Sequence, residues 1–251
     1  SWSGHEAFRW TRATEMAGLG ALPGGNGGSY AYGVSAGGEV VVGYSSSALS
    51  GTRPEAFRWT ATDGMAGLGD LPGGNYDSRA WGISADGTVI VGESSSAEGN
   101  QAFCWTAAAG MEGLGDLAGG VFNSIAYGIS ADGSTITGYG LPVSGVHEAF
   151  RWTRATGMVG LDSLPCDPWS IGRAVSGNGA VIVGDPQVST CKCVFIWDAP
   201  HGMRELLQVL TTDHGLDLKG WQLSRATGIS FDASVNVGYG LNPTRQTQER
   251  L

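Results

Sequence analysis

Residues 55–92 run Glu55-Ala56-Phe57-Arg58-Trp59-Thr60, a short turn, Gly64-Met65-Ala66-Gly67-Leu68-Gly69, a Leu71-Pro72-Gly73-Gly74 loop, Arg79-Ala80-Trp81-Gly82-Ile83-Ser84, Ala85-Asp86-Gly87 and Val89-Ile90-Val91-Gly92. Four short runs alternate apolar with small residues, and Gly, Pro or Asp bounds each one, which is the pattern of β-strands joined by turns. Asp86-Gly87 between two such runs predicts a hairpin, because both residues tolerate the positive φ of its turn. Neighbouring strand residues point to opposite faces. Phe57 and Trp59 therefore share one face, with Ala56 and Arg58 on the other; Trp81 and Ile83 oppose Ala80, Gly82 and Ser84. One face is bulky and one is small. A sheet this size cannot bury the bulky face alone, but it can against the small face of a copy of itself, where each aromatic would remove about 150–250 Å² from water.

The copies are present. Glu6 to Trp10, Gln101 to Trp105 and Glu148 to Trp152 repeat the first run, and Cys193 to Trp197 is a degenerate version. After each Trp comes a Met (Met16, Met65, Met111, Met158, Met203), and then a Leu (Leu19, Leu68, Leu114, Leu161, Leu206). The Val89 to Gly92 run returns at Val40 to Gly43, Thr135 to Gly138, Val181 to Gly184 and Val235 to Gly238. Units of this length with four strands are the signature of propeller blades. With strands A to D starting at the Trp81 run, the chain opens just before a C strand and ends just after a B strand. The expectation is an all-β, five-bladed β-propeller of four-stranded antiparallel blades, closed by a blade shared between the N- and C-termini, which would remove two open edges. The whole of 1–251 forms one repeat domain, with units near 1–32, 33–80, 81–126, 127–173 and 174–251, the first completed by the C-terminal strands. An open β-solenoid is the alternative, as is a piece of a longer array, since Gln248-Glu249-Arg250-Leu251 stands where a further C strand would begin. Met203 to Leu210 is the one stretch with helical character.

Composition narrows the function. Charged residues are 15% of the chain, below the usual quarter, consistent with strands buried on both faces. The 43 glycines accompany a normal apolar share of 41%, so they mark turns rather than disorder. A net charge of −9 opposes binding to a phosphate backbone, so no nucleic acid is expected. No apolar run reaches the length of a membrane helix, so no direct membrane insertion is expected. Ser1 shows no signal-peptide pattern, which places any targeting segment before the given start.

The pattern EAFRWT, then GM, GLG, LPGG and A-x-GISADG-x-x-IVG, seen almost intact at 55–92 and 101–138, resembles bacterial extracellular HAF-type repeats, including autotransporter-like passenger repeats. The resemblance implies an extracellular or cell-surface address in a Gram-negative bacterium. It implies no activity.

Turns alternate between the two ends of a meander. A–B and C–D turns are monotonous, whereas B–C and D–A loops vary, and binding residues concentrate on variable loops over a rigid scaffold. The candidates on that end are Tyr76, Arg79, Trp169, Arg173, Trp221 and Arg225, with the two tryptophans foremost because an exposed Trp outside the repeat pattern can stack on a ligand. The expected function is an exported or cell-surface adhesion module whose partner is a glycan or surface polymer. A secreted glycoside hydrolase or lyase with channel carboxylates, and a structural surface spacer, are the alternatives. No catalytic residue, metal ligand or cofactor is assigned. The recurring Asp70, Asp116 and Asp162 are periodic and read as turn residues. Cys166 and either Cys191 or Cys193 fall at one end of neighbouring strands and are disulfide candidates in an exported protein; Cys191-Lys192-Cys193 is too tight for a zinc knuckle. Cys104 stands alone.

Overall fold

The structure, a computed structural model, describes residues 4–25, 27–186 and 193–243. Six antiparallel sheets follow one another along the chain. The first holds β1 (Phe8–Thr11) and β2 (Glu15–Gly18). Four-stranded meanders follow: β3 (Ser29–Val34), β4 (Val40–Ser45), β5 (Glu55–Thr60), β6 (Gly64–Gly67); then β7 (Ser78–Ile83), β8 (Val89–Ser95), β9 (Gly99–Thr106), β10 (Gly110–Gly113), with the two-residue β11 (Phe122–Asn123) added parallel to β9. Next come β12 (Ile125–Ile129), β13 (Ile136–Gly140), β14 (Glu148–Thr153), β15 (Gly157–Gly160), and β16 (Ile171–Val175), β17 (Val181–Asp185), β18 (Phe195–Asp198), β19 (Gly202–Glu205). Helix α1 (Leu206–Thr212) precedes the last sheet, β20 (Gln222–Ile229) with β21 (Asn236–Leu241). The helical stretch expected at Met203 to Leu210 starts later, because Met203 pairs with Trp197 in β19. No helix among the described residues is long and apolar enough to cross a membrane.

The repeat pattern explains the stacking. Val40, Val42 and Ala56 from one sheet bury against Ile90 and Phe103 of the next, with Ile83 and Trp105 at the margin. Phe57, Phe103, Phe150 and Phe195 are the largest fully buried side chains. The first strands β3, β7, β12, β16 and β20 contact one another in series, so they form the inner edge of the array. At one end of that edge the A–B turns are joined by backbone hydrogen bonds: Ala36 N–H to Ala85 C=O, Ala85 to Ala131, Ala131 to Gly177 and Gly177 to Phe231, each 2.9–3.0 Å.

A buried serine stands at the start of four of the five inner strands and ties each to the preceding sheet. The Ser78 hydroxyl accepts the Ala56 N–H (3.0 Å) and donates to Gly69 C=O (2.6 Å). Ser29, Ser124 and Ser170 do the same with Ala7 and Gly20, Ala102 and Gly115, and Ala149 and Asp162. These hydroxyls satisfy an N–H and a C=O that lie where no strand can reach them, as buried backbone groups require.

Among the described residues the array therefore holds four full meander sheets between two two-stranded ones. Among the described residues no strand pair joins β1–β2 to β20–β21, so the expected shared blade is not assembled in this arrangement. Gln248 to Leu251, expected to begin a further strand, lie outside the described residues.

Candidate functional site

Each inner strand carries a bulge at the same place. Ala31 faces Gly43 and Gly33 faces Val42, which leaves Tyr32 as the extra residue. Trp81, Tyr127, Arg173 and Thr227 are the extra residues of β7, β12, β16 and β20. A bulge re-aims its side chain out of the ladder. The following glycine of the second strand makes room for it: a Cβ at Gly92 would fall on the Arg79 carbonyl, and Gly43, Gly138, Gly184 and Gly238 face Tyr30, Ile125, Ile171 and Arg225 in the same way. The residue after that glycine is Tyr44, Glu93, Tyr139, Asp185 or Tyr239, and it pairs with the inner strand as Tyr30–Tyr44, Arg79–Glu93, Ile125–Tyr139, Ile171–Asp185 and Arg225–Tyr239.

These positions meet in a belt along the inner edge. Aromatic rings touch in series from His5 through Tyr30, Tyr44, Tyr32, Trp81, Tyr127, Tyr139 and His147 to Trp169, with centroids 4.1–6.2 Å apart. Guanidinium groups lie over three of the tyrosines: Arg79 over Tyr44 at 5.7 Å, Arg173 over Tyr127 at 5.3 Å and Arg225 over Tyr239 at 5.9 Å. Carboxylates anchor the arginines from behind. Arg79 reaches both Asp77 and Glu93 at 3.3 Å, and Asn100 also donates to Glu93. Asp185, buried, accepts two bonds from Arg173 at 3.1 and 3.2 Å and lies 3.4 Å from Arg225 Nε on the next sheet.

Burial sets the titration of the belt. It pushes the Asp185 carboxyl above its ordinary value even though Arg173 and Arg225 pull the other way. Desolvation, aided by the hydrogen bond to Tyr32, raises Tyr44 to about 12, and desolvation also raises Tyr127 and Tyr139. The phenols are neutral at physiological pH. The belt offers flat aromatic faces, hydroxyls and partly exposed, oriented guanidinium groups, a set suited to holding a ligand by stacking and hydrogen bonding.

The structure brings four of the six predicted site residues into this belt: Arg79, Arg173, Arg225 and Trp169. Trp221 lies beside it, lining a cleft of about 320 Å³ with Leu206, Leu210, Arg225 and Tyr239. Tyr76 stands apart; its ring is exposed and its backbone, in the left-handed region at φ 53°, donates to Asp70. Asp116 likewise accepts from the Leu117, Asn123 and Leu141 amides, a turn role. Cys166 is bonded to Cys193, which ties the loop before β16 to the loop before β18, while Cys191 lies outside the described residues. Cys104 is free and buried. Sequence reasoning missed Tyr44, Glu93, Tyr139, Asp185 and Tyr239, although one signal marked them: each follows the same Gly of the repeat while its own identity varies.

No family model matches the chain, and no curated protein matches it. Among solved structures, TolB from Acinetobacter baumannii superposes with a TM-score of 0.53 at 14% identity, over 78% of this chain and 47% of that one. The putative TolB from Agrobacterium tumefaciens gives a TM-score of 0.49 at 13% identity, over 79% and 68%. This chain thus spans about half the length of the Acinetobacter protein. The first likeness shows an all-β, propeller-like, multi-bladed fold resembling the propeller of TolB. It also corrects the kinship drawn from the EAFRWT units: the comparisons return TolB structures, a likeness of fold, and not HAF-type passenger repeats. The extracellular or cell-surface address and the glycan or surface-polymer partner, which were tied to that kinship, are withdrawn with it. So is the exported adhesion module.

Proposed function

We propose that the chain is a protein-binding propeller that holds a segment of a partner protein against the inner-edge belt. The continuous aromatic and arginine surface carries this reading. Tyr, Trp and Arg are the residue types that dominate binding energy at protein interfaces, especially when other groups pre-position them. Here Glu93 and Asp185 fix Arg79, Arg173 and Arg225, so little side-chain entropy is left to lose on binding. Arg79, Arg173, Arg225 and Trp169 form the centre of the proposed surface, with Tyr76 and Trp221 at its rim. The finer architecture proposed with it is a single domain over 1–251 with five blades, the last shared between the two ends of the chain.

Selection of displayed peptides against the whole chain, followed by titration calorimetry of the winners, tests the reading. Trp169→Ala and Arg173→Ala should each weaken binding at least tenfold, about 1.4 kcal/mol. Peptides that bind the double variant as well as the parent would place the site elsewhere.

A further inference from the structure

One position along the inner edge breaks the run of aromatic rings. The bulged residues of β3, β7 and β12 are Tyr32, Trp81 and Tyr127, and on β16 the same place is taken by Arg173. The residue behind it changes as well: Asp185 stands where the preceding sheet has Tyr139. Asp185 is 1% exposed and cannot itself meet a ligand, whereas the side chains of Arg173 and Arg225 are 17% and 35% exposed. Arg173 gives Nε to Oδ2 and Nη2 to Oδ1, which commits only part of its fork of donors. Arg225 Nε lies 3.4 Å from the same Oδ1, yet it is buried and makes no hydrogen bond. Charge is therefore divided unevenly along the edge. Around Arg79 one guanidinium faces two carboxylates, Asp77 and Glu93. Around Asp185 one carboxylate faces two guanidinium groups, so one positive charge is left over. Two cations that meet at a single oxygen repel each other, and a second anion beside them offsets that repulsion.

We infer that the partner segment carries a carboxylate, either an Asp or Glu side chain or a free chain end, and that Arg173 and Arg225 receive it. The inference rests on the belt reading and adds what the segment must bring and where it lands. A guanidinium fork matches a carboxylate through paired, charge-assisted bonds. The charge left over also favours a carboxylate, because a phosphate group carries close to two negative charges and would stay partly unmatched. Arg79 is the wrong place for the same group, since Asp77 and Glu93 already outnumber it and repel a further anion. The segment is thus oriented along the belt, with its acidic group over β16 and β20 and away from β7. The Tyr127 ring lies 5.3 Å from the Arg173 guanidinium and gives the residue next to the carboxylate an aromatic face to pack on. The net charge of −9 slows the approach of an acidic segment, but exposed charges more than about 10 Å from the contact are largely screened at physiological salt.

Peptide selection followed by double-mutant cycles tests it. Random peptides are selected on the whole chain from two display libraries, one with free C-termini and one with C-termini fused to the carrier. The winners are synthesised with each carboxylate in turn exchanged for the carboxamide. One exchange should weaken binding to the parent roughly tenfold or more. That loss should shrink severalfold in Arg173→Met and in Arg225→Met and stay intact in Arg79→Met. Arg225→Met breaks no hydrogen bond of Asp185 and keeps the test in hand where Arg173→Met does not fold. A carboxylate that matters only in winners from the free-terminus library is a chain end; one found in both libraries is a side chain. Winners that bind equally well with every carboxylate exchanged overturn the inference, as does a loss that survives in both Arg173→Met and Arg225→Met or vanishes in Arg79→Met. In those cases weaker binding to Trp169→Ala leaves the belt reading standing, and binding unaffected by Trp169→Ala overturns that reading too.

Discussion

Ser124→Ala isolates what the buried serines contribute. Ser124 is fully buried, accepts the Ala102 N–H at 3.0 Å and donates to the Gly115 C=O at 2.7 Å. Its removal leaves one donor and one acceptor dry and unpaired. Each such group costs about 1–3 kcal/mol, and partial relaxation of the carbonyl sets the expected loss at about 2–4 kcal/mol. In a chain of this size each kcal/mol moves Tm by roughly 2–4 °C, so Tm should fall by roughly 4–16 °C. Ser134→Ala is the control: its hydroxyl bonds Asp132 at an exposed turn, and it should change stability by no more than about 0.5 kcal/mol. Urea unfolding followed by tryptophan fluorescence and by circular dichroism gives the numbers, provided the two transitions coincide. Ser78→Ala should cost the same, and the double variant should be additive within about 0.5 kcal/mol. Equal stabilities for Ser124→Ala and Ser134→Ala would show that the sheets are held without these hydroxyls.

Other outcomes follow from the same contacts. Gly138→Ala places a Cβ on the Ile125 carbonyl and should lower stability by about 1–3 kcal/mol in urea unfolding. Ser84, Ser130 and Ser230 hydroxyls hold Asp86, Asp132 and Asp232 below the ordinary carboxylate range, Asp232 at about 2; the stability they lend is complete above the unfolded value near 3.9 and is lost as pH falls through the lower folded values. Asp185 runs the other way: with its pKa raised, its contribution is complete below the unfolded value and declines as pH rises through the folded one. Urea midpoints from pH 2 to pH 7, about the range these carboxyls span, should therefore lose part of their acid limb in Asp132→Asn, whereas Asp185→Asn should steepen the fall on acidification. Peptide mapping without reduction should recover Cys166 joined to Cys193, and reduction should cost about 3–4 kcal/mol for a loop of 27 residues.

The sheets were legible because their signal is local. Period-2 alternation of Phe57 and Trp59, or of Trp81 and Ile83, names the faces directly, and Asp86-Gly87 names the turn. The belt was half legible. Arg79 and Arg173 were reached through the variable-loop end and Trp169 by standing outside the repeat, but Tyr44, Glu93 and Asp185 become neighbours of those residues only through strand register, which a bulge shifts by one. Ser124 shows the same limit: it recurs visibly at Ser29, Ser78 and Ser170, yet its partner lies 22 residues earlier on a different sheet. The misplaced helix start has a comparable cause, since Met203 obeys the strand register opposite Trp197 before the apolar spacing of Leu206, Val209 and Leu210 takes over.

The correction of kinship has a physical reason too. Phe57, Trp59, Met65, Leu68 and Gly92 are the residues by which neighbouring sheets bury one another. Any stack of four-stranded sheets meets the same demand, so a motif made of such residues reports how sheets stack and carries no information about address or ligand. Residues free of that demand can differ between copies, and at the position after the repeated Gly they do: Tyr44, Glu93, Tyr139, Asp185 and Tyr239 share one backbone environment and span tyrosine rings, a hydrogen-bonded carboxylate and a carboxylate clamped by two arginines. Stacking alone does not require Asp185, whose burial raises its pKa and whose neighbours must be arginines to hold it there. A group that is costly to bury and yet fixes two guanidinium groups against Tyr127 and Tyr239 is better explained by what those guanidinium groups hold than by the fold they stand on.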